Sequence, residues 1–210
     1  MSSIIQQSGY HLKFNRIYNE IQGSSYESEC KYSLLRVLVY RWFLDLDPNF
    51  THNNPSIIQH IEEILDNILA LLEVTGAQPS LLSTVIFYTD RFLRGATIMY
   101  DQLFSVLLIS TIITLKFWTE NLQIKNSIFV EIFKTYKLKD INMMEICFLN
   151  AIQYDLFITQ KEIKIFLKSF LDNKLWSTIS AYNKNIKKKS QVTTPTVSSP
   201  TSAVVSNTAQ

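Results

Sequence analysis

The segment from Gln102 to Leu115 is a run of 14 residues without a charged side chain, and it constrains the fold more than any other part of the sequence. As an α-helix it would be about 21 Å long, which is shorter than the roughly 30 Å hydrocarbon core of a membrane. A helix that is apolar nearly all round is normally buried on every side. We therefore predict that a helix from about Tyr100 to Trp118 lies at the centre of a helical bundle and not in a membrane.

Apolar residues recur at helical spacing along most of the chain, and no stretch alternates with the period of two that a half-buried strand would show. Only 4 glycines are present, which argues against a β fold with many tight turns. The predicted fold class is therefore all-α. The predicted helices are Cys30–Leu44, Pro55–Gly76, Pro79–Gly95, Tyr100–Trp118, Ser127–Tyr136, Lys139–Tyr154 and a last helix that begins at the capping box of Thr159 and Glu162.

The net charge of +2 over 210 residues hides an uneven distribution. Residues 173–210 contain five lysines and no acidic residue, so this tail carries +5 and residues 1–172 carry −3. An acidic body does not favour binding to nucleic acid. Residues 190–210 contain ten serines and threonines and no aromatic residue, a composition that predicts disorder.

The residues that commonly carry chemistry are scattered. The two cysteines, Cys30 and Cys147, are far apart, and the three histidines, His11, His52 and His60, have no metal-ligand spacing. No glycine-rich phosphate loop and no GxSxG motif is present. We expect no metal, no cofactor and no catalytic site. Because the start also lacks the pattern of a secretory signal, we expect a reducing, intracellular location.

Three charged positions interrupt strongly apolar helices. Lys116 follows the uncharged run, Glu145 lies between Met144 and Ile146, and Asp90 interrupts the helix that begins at Pro79. Charges in such places are usually paired or extend towards solvent. They are also the places where the sequence contains recognisable motifs.

Three segments resemble the motifs of a cyclin box, the helical domain of the cyclin family. FYTDRFL (87–93) resembles the signature of its second helix, TLKFW (114–118) the end of its third, and NMMEICFLNAIQYDLFI (142–158) its fifth. Lys116 and Glu145 are 29 residues apart, a separation that matches the kinase-contacting lysine and glutamate of the family. The order and spacing of the three motifs make the resemblance specific.

Two further segments make the resemblance narrower. FTHNNPSI (50–57) and NSIF (126–129) are similar to segments of phosphate-pathway (P-type) and plant U-type cyclins, with cyclin Y the next most similar group. The resemblance implies a single five-helix cyclin box over residues 50–172. An N-terminal helical extension would occupy residues 1–49, a C-terminal helix would end the box, and residues 173–210 would be a disordered tail.

The resemblance implies a regulatory subunit without enzymatic activity, which binds and activates a cyclin-dependent protein kinase in a heterodimer. The third and fifth box helices would contact the regulatory αC helix of the kinase and shift it inward. Lys116 and Glu145 would hydrogen-bond backbone groups at the end of that helix. The apolar anchor would be formed by Ile113, Leu149, Tyr154 and Leu156. For Tyr154 and Leu156, ordinary packing at a helix end is the alternative.

One departure from the family concerns Asp90. In cyclins an arginine of the first box helix pairs with the aspartate of the second, but residues 55–79 of this chain contain no arginine or lysine. A buried carboxylate without a partner would be unfavourable. We therefore expect Asp90 to form a structural ion pair with Arg36, Arg41 or Arg91.

The tail contains two Ser/Thr-Pro dipeptides, at Thr194 and Ser199, which are candidate sites for phosphorylation by a proline-directed kinase. The nearby run Lys187–Lys189 is compatible with nuclear import or with simple solubilising charge, so the expected location is nuclear, cytoplasmic or both.

The main alternative function is a cyclin-fold module of the transcription-factor type that does not bind a kinase. A helical adaptor and a small helical enzyme are the remaining alternatives.

Overall fold

The structure of the chain, a computed structural model, describes residues 2–24, 33–54, 56–119 and 124–169. These residues form helices joined by turns and contain no strand, which confirms the predicted all-α fold. The helices are α1 (Ser2–Ser24), α2 (Ser33–Leu46), α3 (Pro48–Asn53), α4 (Ile57–Val74), α5 (Leu82–Gly95), α6 (Leu103–Trp118), α7 (Asn126–Ile132), α8 (Leu138–Ala151) and α9 (Gln160–Ser169). Short 3₁₀ turns, Pro79–Leu81 and Tyr100–Gln102, lead into α5 and α6.

Helix α6 is the centre of the bundle, as its sequence predicts. It packs against α4, α5 and α8, and every residue from Val106 to Leu115 is buried. Ser110 Oγ donates to the Val85 carbonyl of α5 at 2.7 Å and Thr111 Oγ1 to the Leu107 carbonyl at 2.8 Å, whereas Thr114 Oγ1 is buried without a hydrogen-bond partner among the described residues. The segment from Tyr100 to Trp118 is long and apolar enough to cross a membrane by composition, but 61% of that span is buried inside the protein. The neighbouring helices of the bundle cover most of this segment.

Helix α1 is not among the predicted helices. It packs along α4 and α7, burying Phe14 and Ile17, and the ring of Phe14 contacts that of Phe133 edge-on at 5.4 Å. Lys13 donates from Nζ to the carbonyl of Val74 at 3.0 Å, at the C-terminal end of α4, where a positive charge is favourable. The N-terminal segment is therefore part of the same packed body.

Helix α2 also packs on α4. Arg36 and Glu62 form an ion pair between the two helices at 3.2 Å. The predicted domain boundary between residues 49 and 50 falls inside α3. The predicted tail, with Thr194 and Ser199, and Cys30 lie outside the described residues.

The ends of two predicted helices differ from the structure. Helix α7 ends at Ile132 instead of Tyr136, because the chain turns at Phe133. Helix α8 ends at Ala151 instead of Tyr154, where a turn with positive φ angles follows.

The predicted capping box of α9 is present: Thr159 N–H donates to Glu162 Oε2 at 2.7 Å, and Glu162 N–H donates to Thr159 Oγ1 at 3.2 Å.

Candidate functional site

Lys116 and Glu145 form an ion pair between the C-terminal end of α6 and the middle of α8. Lys116 Nζ donates to both carboxylate oxygens of Glu145, at 2.6 and 2.8 Å. The side chains are 32% and 15% exposed respectively, so the pair lies at the surface but is largely shielded from water. Two residues that are 29 positions apart in the chain are thus brought together by the packing of α6 on α8.

The helical pattern of α8 explains why Glu145 faces α6. Residues 141, 145, 148 and 152 follow one another at spacings of four, three and four, which places them on one face of a helix. Ile141, Phe148 and Ile152 are buried on that face. Glu145 occupies the same stripe, and its carboxylate meets Lys116 where α6 ends. The lysine also stands in the last turn of its helix, where the helix dipole favours a positive charge.

Asn126, the first residue of α7, is the third member of this site. Its side-chain nitrogen Nδ2 donates to Glu145 Oε2 at 2.6 Å and to Asn142 Oδ1 at 2.7 Å. The residue is only 8% exposed, and its oxygen Oδ1 is buried without a hydrogen-bond partner among the described residues. Asn126 is therefore a second donor to the Glu145 carboxylate, beside Lys116.

Exposed apolar side chains lie next to the pair in the sequence or in the segment after α8. Phe117 follows Lys116, Ile146 follows Glu145, and Tyr154 and Phe157 lie in the segment after α8. Their exposed fractions are 47% for Phe117, 56% for Ile146, 59% for Tyr154 and 69% for Phe157. The ring of Trp118 contacts both Phe117, at 5.3 Å, and Phe157, at 6.4 Å, so the α6 end and the segment after α8 form one surface. We call these four exposed residues the apolar rim.

The predicted apolar anchor is only partly at this surface. Tyr154 is exposed, and Leu149 and Leu156 are half-buried beside the rim. Ile113, in contrast, is only 2% exposed, so a partner cannot contact it in this conformation. Because α6 is apolar on every side, its sequence does not reveal which of its residues remain uncovered.

The turn after α8 is built around the phenol of Tyr88 in α5. Tyr88 is fully buried, and its hydroxyl donates to the carbonyl of Leu156 while accepting a hydrogen bond from Trp118 Nε1 at 2.8 Å. Burial raises the pKa of Tyr88 to about 12, so the hydroxyl keeps its proton throughout the neutral range. Arg91 pairs with Asp155 Oδ2 at 2.8 Å and also donates to the carbonyl of Asp155.

No protein-family model matches the chain, and no match was found among the curated proteins or the solved structures.

Asp90 has a different partner from the three that were expected. Its carboxylate pairs with Arg94 Nη2 at 2.6 Å, one turn further along α5. Arg36, Arg41 and Arg91 pair with acidic residues elsewhere, as the ion pairs with Glu62, Asp45 and Asp155 show. The (i, i+4) spacing of Asp90 and Arg94 could have predicted the pair from the sequence.

Asp90 and Arg94 also line a cavity of about 370 Å³ between α2, α5 and the end of α9. Arg41, Trp42 and Asp45 are on its α2 side. In the described part of the chain, no group of three or more His, Cys, Asp or Glu residues could hold a metal ion.

The role assigned to Asn126 leads to a prediction. We expect Asn126→Asp to destabilise the protein by roughly 1–3 kcal/mol at pH 7, because a carboxylate would replace a donor beside Glu145. Urea unfolding at pH 7 measures the effect. A variant as stable as the wild-type chain would contradict the role of Asn126 as a donor to Glu145.

Proposed function

We propose that this chain is a cyclin-type regulatory subunit that binds a cyclin-dependent protein kinase and activates it. The observation that carries the proposal is the Lys116–Glu145 ion pair, which joins the C-terminal end of α6 to the middle of α8. Each residue of the pair is followed in the chain by an exposed apolar residue of the rim, Phe117 after Lys116 and Ile146 after Glu145. A stable protein interface typically combines apolar side chains with a few well-paired charges. Because single exposed apolar residues are common, the support comes from finding them next to a partly exposed charge pair.

The pair retains hydrogen-bonding capacity for a partner. A lysine ammonium group has three donors, and two of those of Lys116 are directed at Glu145. A carboxylate has about four acceptor positions, of which Glu145 uses three for Lys116 and Asn126. One donor and one acceptor therefore remain for backbone groups of a partner. The end of a helix, with its unsatisfied backbone groups, is a suitable ligand.

The proposed mechanism is the one that the resemblance to the cyclin box implies. The αC helix of the kinase would lie across the C-terminal end of α6 and the middle of α8, with its backbone at Lys116 and Glu145 and its apolar side chains on the rim. Contact there shifts the αC helix inward, so that its glutamate meets the ATP-binding lysine of the kinase. In this proposal the chain acts in an intracellular heterodimer and contributes no catalytic residue or cofactor of its own.

Affinity purification of the tagged full chain, followed by mass spectrometry, tests the proposal. The expected result is recovery of a cyclin-dependent kinase in a roughly equimolar complex. Recovery of a nucleic-acid-bound assembly whose affinity falls steeply with salt would favour the transcription-factor alternative instead. If no cyclin-dependent kinase is recovered, and none binds the purified chain in direct titration, the proposal is wrong.

A further inference from the structure

The turn after α8 has an unusual backbone. Gln153 and Tyr154 both have φ angles of 56°, in the left-handed region that glycine adopts readily and other residues avoid. Two successive non-glycine residues in this region persist only where the surrounding structure holds them. The turn leads directly from α8 to Phe157, so its conformation determines where Tyr154 and Phe157 of the apolar rim are placed.

Side chains from α5 and α6 hold this turn. The Tyr88 hydroxyl donates to the Leu156 carbonyl, and Arg91 binds both the carboxylate and the carbonyl of Asp155. Trp118, two residues after Lys116, donates to the Tyr88 hydroxyl at 2.8 Å. The buried phenol of Tyr88 thus connects the turn to the C-terminal end of α6, where Lys116 also lies.

We propose that Tyr88 is a positioning residue that preorganises the turn for the partner kinase. The inference rests on the proposed function, and it adds a residue that does not itself touch the partner, since Tyr88 is fully buried. Holding Tyr154 and Phe157 in place before binding removes the entropic cost of ordering them during association. The kinase affinity therefore depends on a hydroxyl group that lies beneath the interface.

The Tyr88→Phe variant tests this role, because it removes only the hydroxyl. We expect it to fold, to bind a recombinant monomeric cyclin-dependent kinase about tenfold more weakly, and to lose amide exchange protection in the turn. The amides to follow by NMR are those of Tyr154 and Asp155, which donate to the carbonyls of Leu149 and Ile152 at 2.9 and 3.1 Å. The exchange measurement uses the free protein and needs no kinase.

A second substitution separates positioning from general stability. Thr89→Val is the matched control. It removes another buried hydroxyl from α5, one that donates to the Val85 carbonyl at 2.9 Å, and it should lower stability without changing kinase affinity.

The possible outcomes show whether the positioning role of Tyr88 or the proposed function is wrong. Unchanged affinity or unchanged turn exchange in Tyr88→Phe overturns the inference while leaving the proposed function intact. If the wild-type chain binds no cyclin-dependent kinase, the proposed function is wrong and the positioning role fails with it, even if the turn exchanges as expected.

Discussion

The variant with both Lys116→Ala and Glu145→Ala is expected to fold and to bind a cyclin-dependent kinase roughly 100-fold more weakly than the wild-type chain. The two changes remove the donor and the acceptor that the proposal directs at the kinase backbone, and they leave the net charge unchanged. The loss of stability should be small, about 1 kcal/mol, because partly exposed ion pairs contribute little to folding. Isothermal titration with a recombinant monomeric kinase measures the affinity, and thermal melting measures the stability.

Two further variants sharpen this test. Arg16→Ala with Glu20→Ala removes an exposed pair on α1, with side chains 70% and 66% exposed, and should leave kinase binding unchanged. Lys116→Glu with Glu145→Lys restores an attractive pair within the protein but reverses the charges that the kinase meets. We expect this reversal to bind as weakly as the double alanine variant. Kinase affinity within about threefold of wild type in both site variants would contradict the role of the pair.

The second large effect is expected from Phe148→Ala, which should destabilise the protein by about 3–5 kcal/mol. Phe148 is buried in the core, and its ring stacks on that of Phe92 with 4.7 Å between centroids. Small domains have net stabilities of about 5–15 kcal/mol, so this single change should remove a large part of the total. Urea unfolding followed by circular dichroism measures the loss.

Ile146→Ala is the matched control on the same helix. Ile146 is 56% exposed and belongs to the apolar rim, so its replacement should change stability by no more than about 0.5 kcal/mol while weakening kinase binding. The two faces of α8 would then have separate roles, one in the core and one towards the partner. A strong loss of stability in Ile146→Ala, or none in Phe148→Ala, would contradict the placement of α8.

Much of the fold could be predicted from apolar periodicity, because long helices with a clear apolar face show their buried side in the sequence. Helix α4 is such a case, with Ile61, Leu65, Ile68 and Leu72 buried at helical spacing. Helix α1 was not predicted because Phe14 and Ile17 stand in a largely polar segment, and only packing on α4 and α7 stabilises them as a helix.

The candidate site could be predicted only in part. The sequence singles out Lys116 and Glu145 because charges in apolar helices are conspicuous and their spacing resembles that of the cyclin box, and the structure pairs the two residues. Tyr88 and Asn126 were not identified, since their roles depend on hydrogen bonds to residues that are distant in the chain, Leu156 for the first and Glu145 for the second. Nothing in the local sequence of a buried tyrosine or asparagine reveals such a partner.

The most direct test of the central claim is the activation of a monomeric cyclin-dependent kinase by the purified wild-type chain. The measurement is the rate at which the kinase phosphorylates a peptide with a single Ser-Pro site, as the concentration of the chain is increased. We predict a saturable rise in rate with one kinase of a recombinant panel, and no rise with the Lys116→Ala, Glu145→Ala variant. A panel in which no kinase is activated, or activation that the variant reproduces in full, would contradict the account.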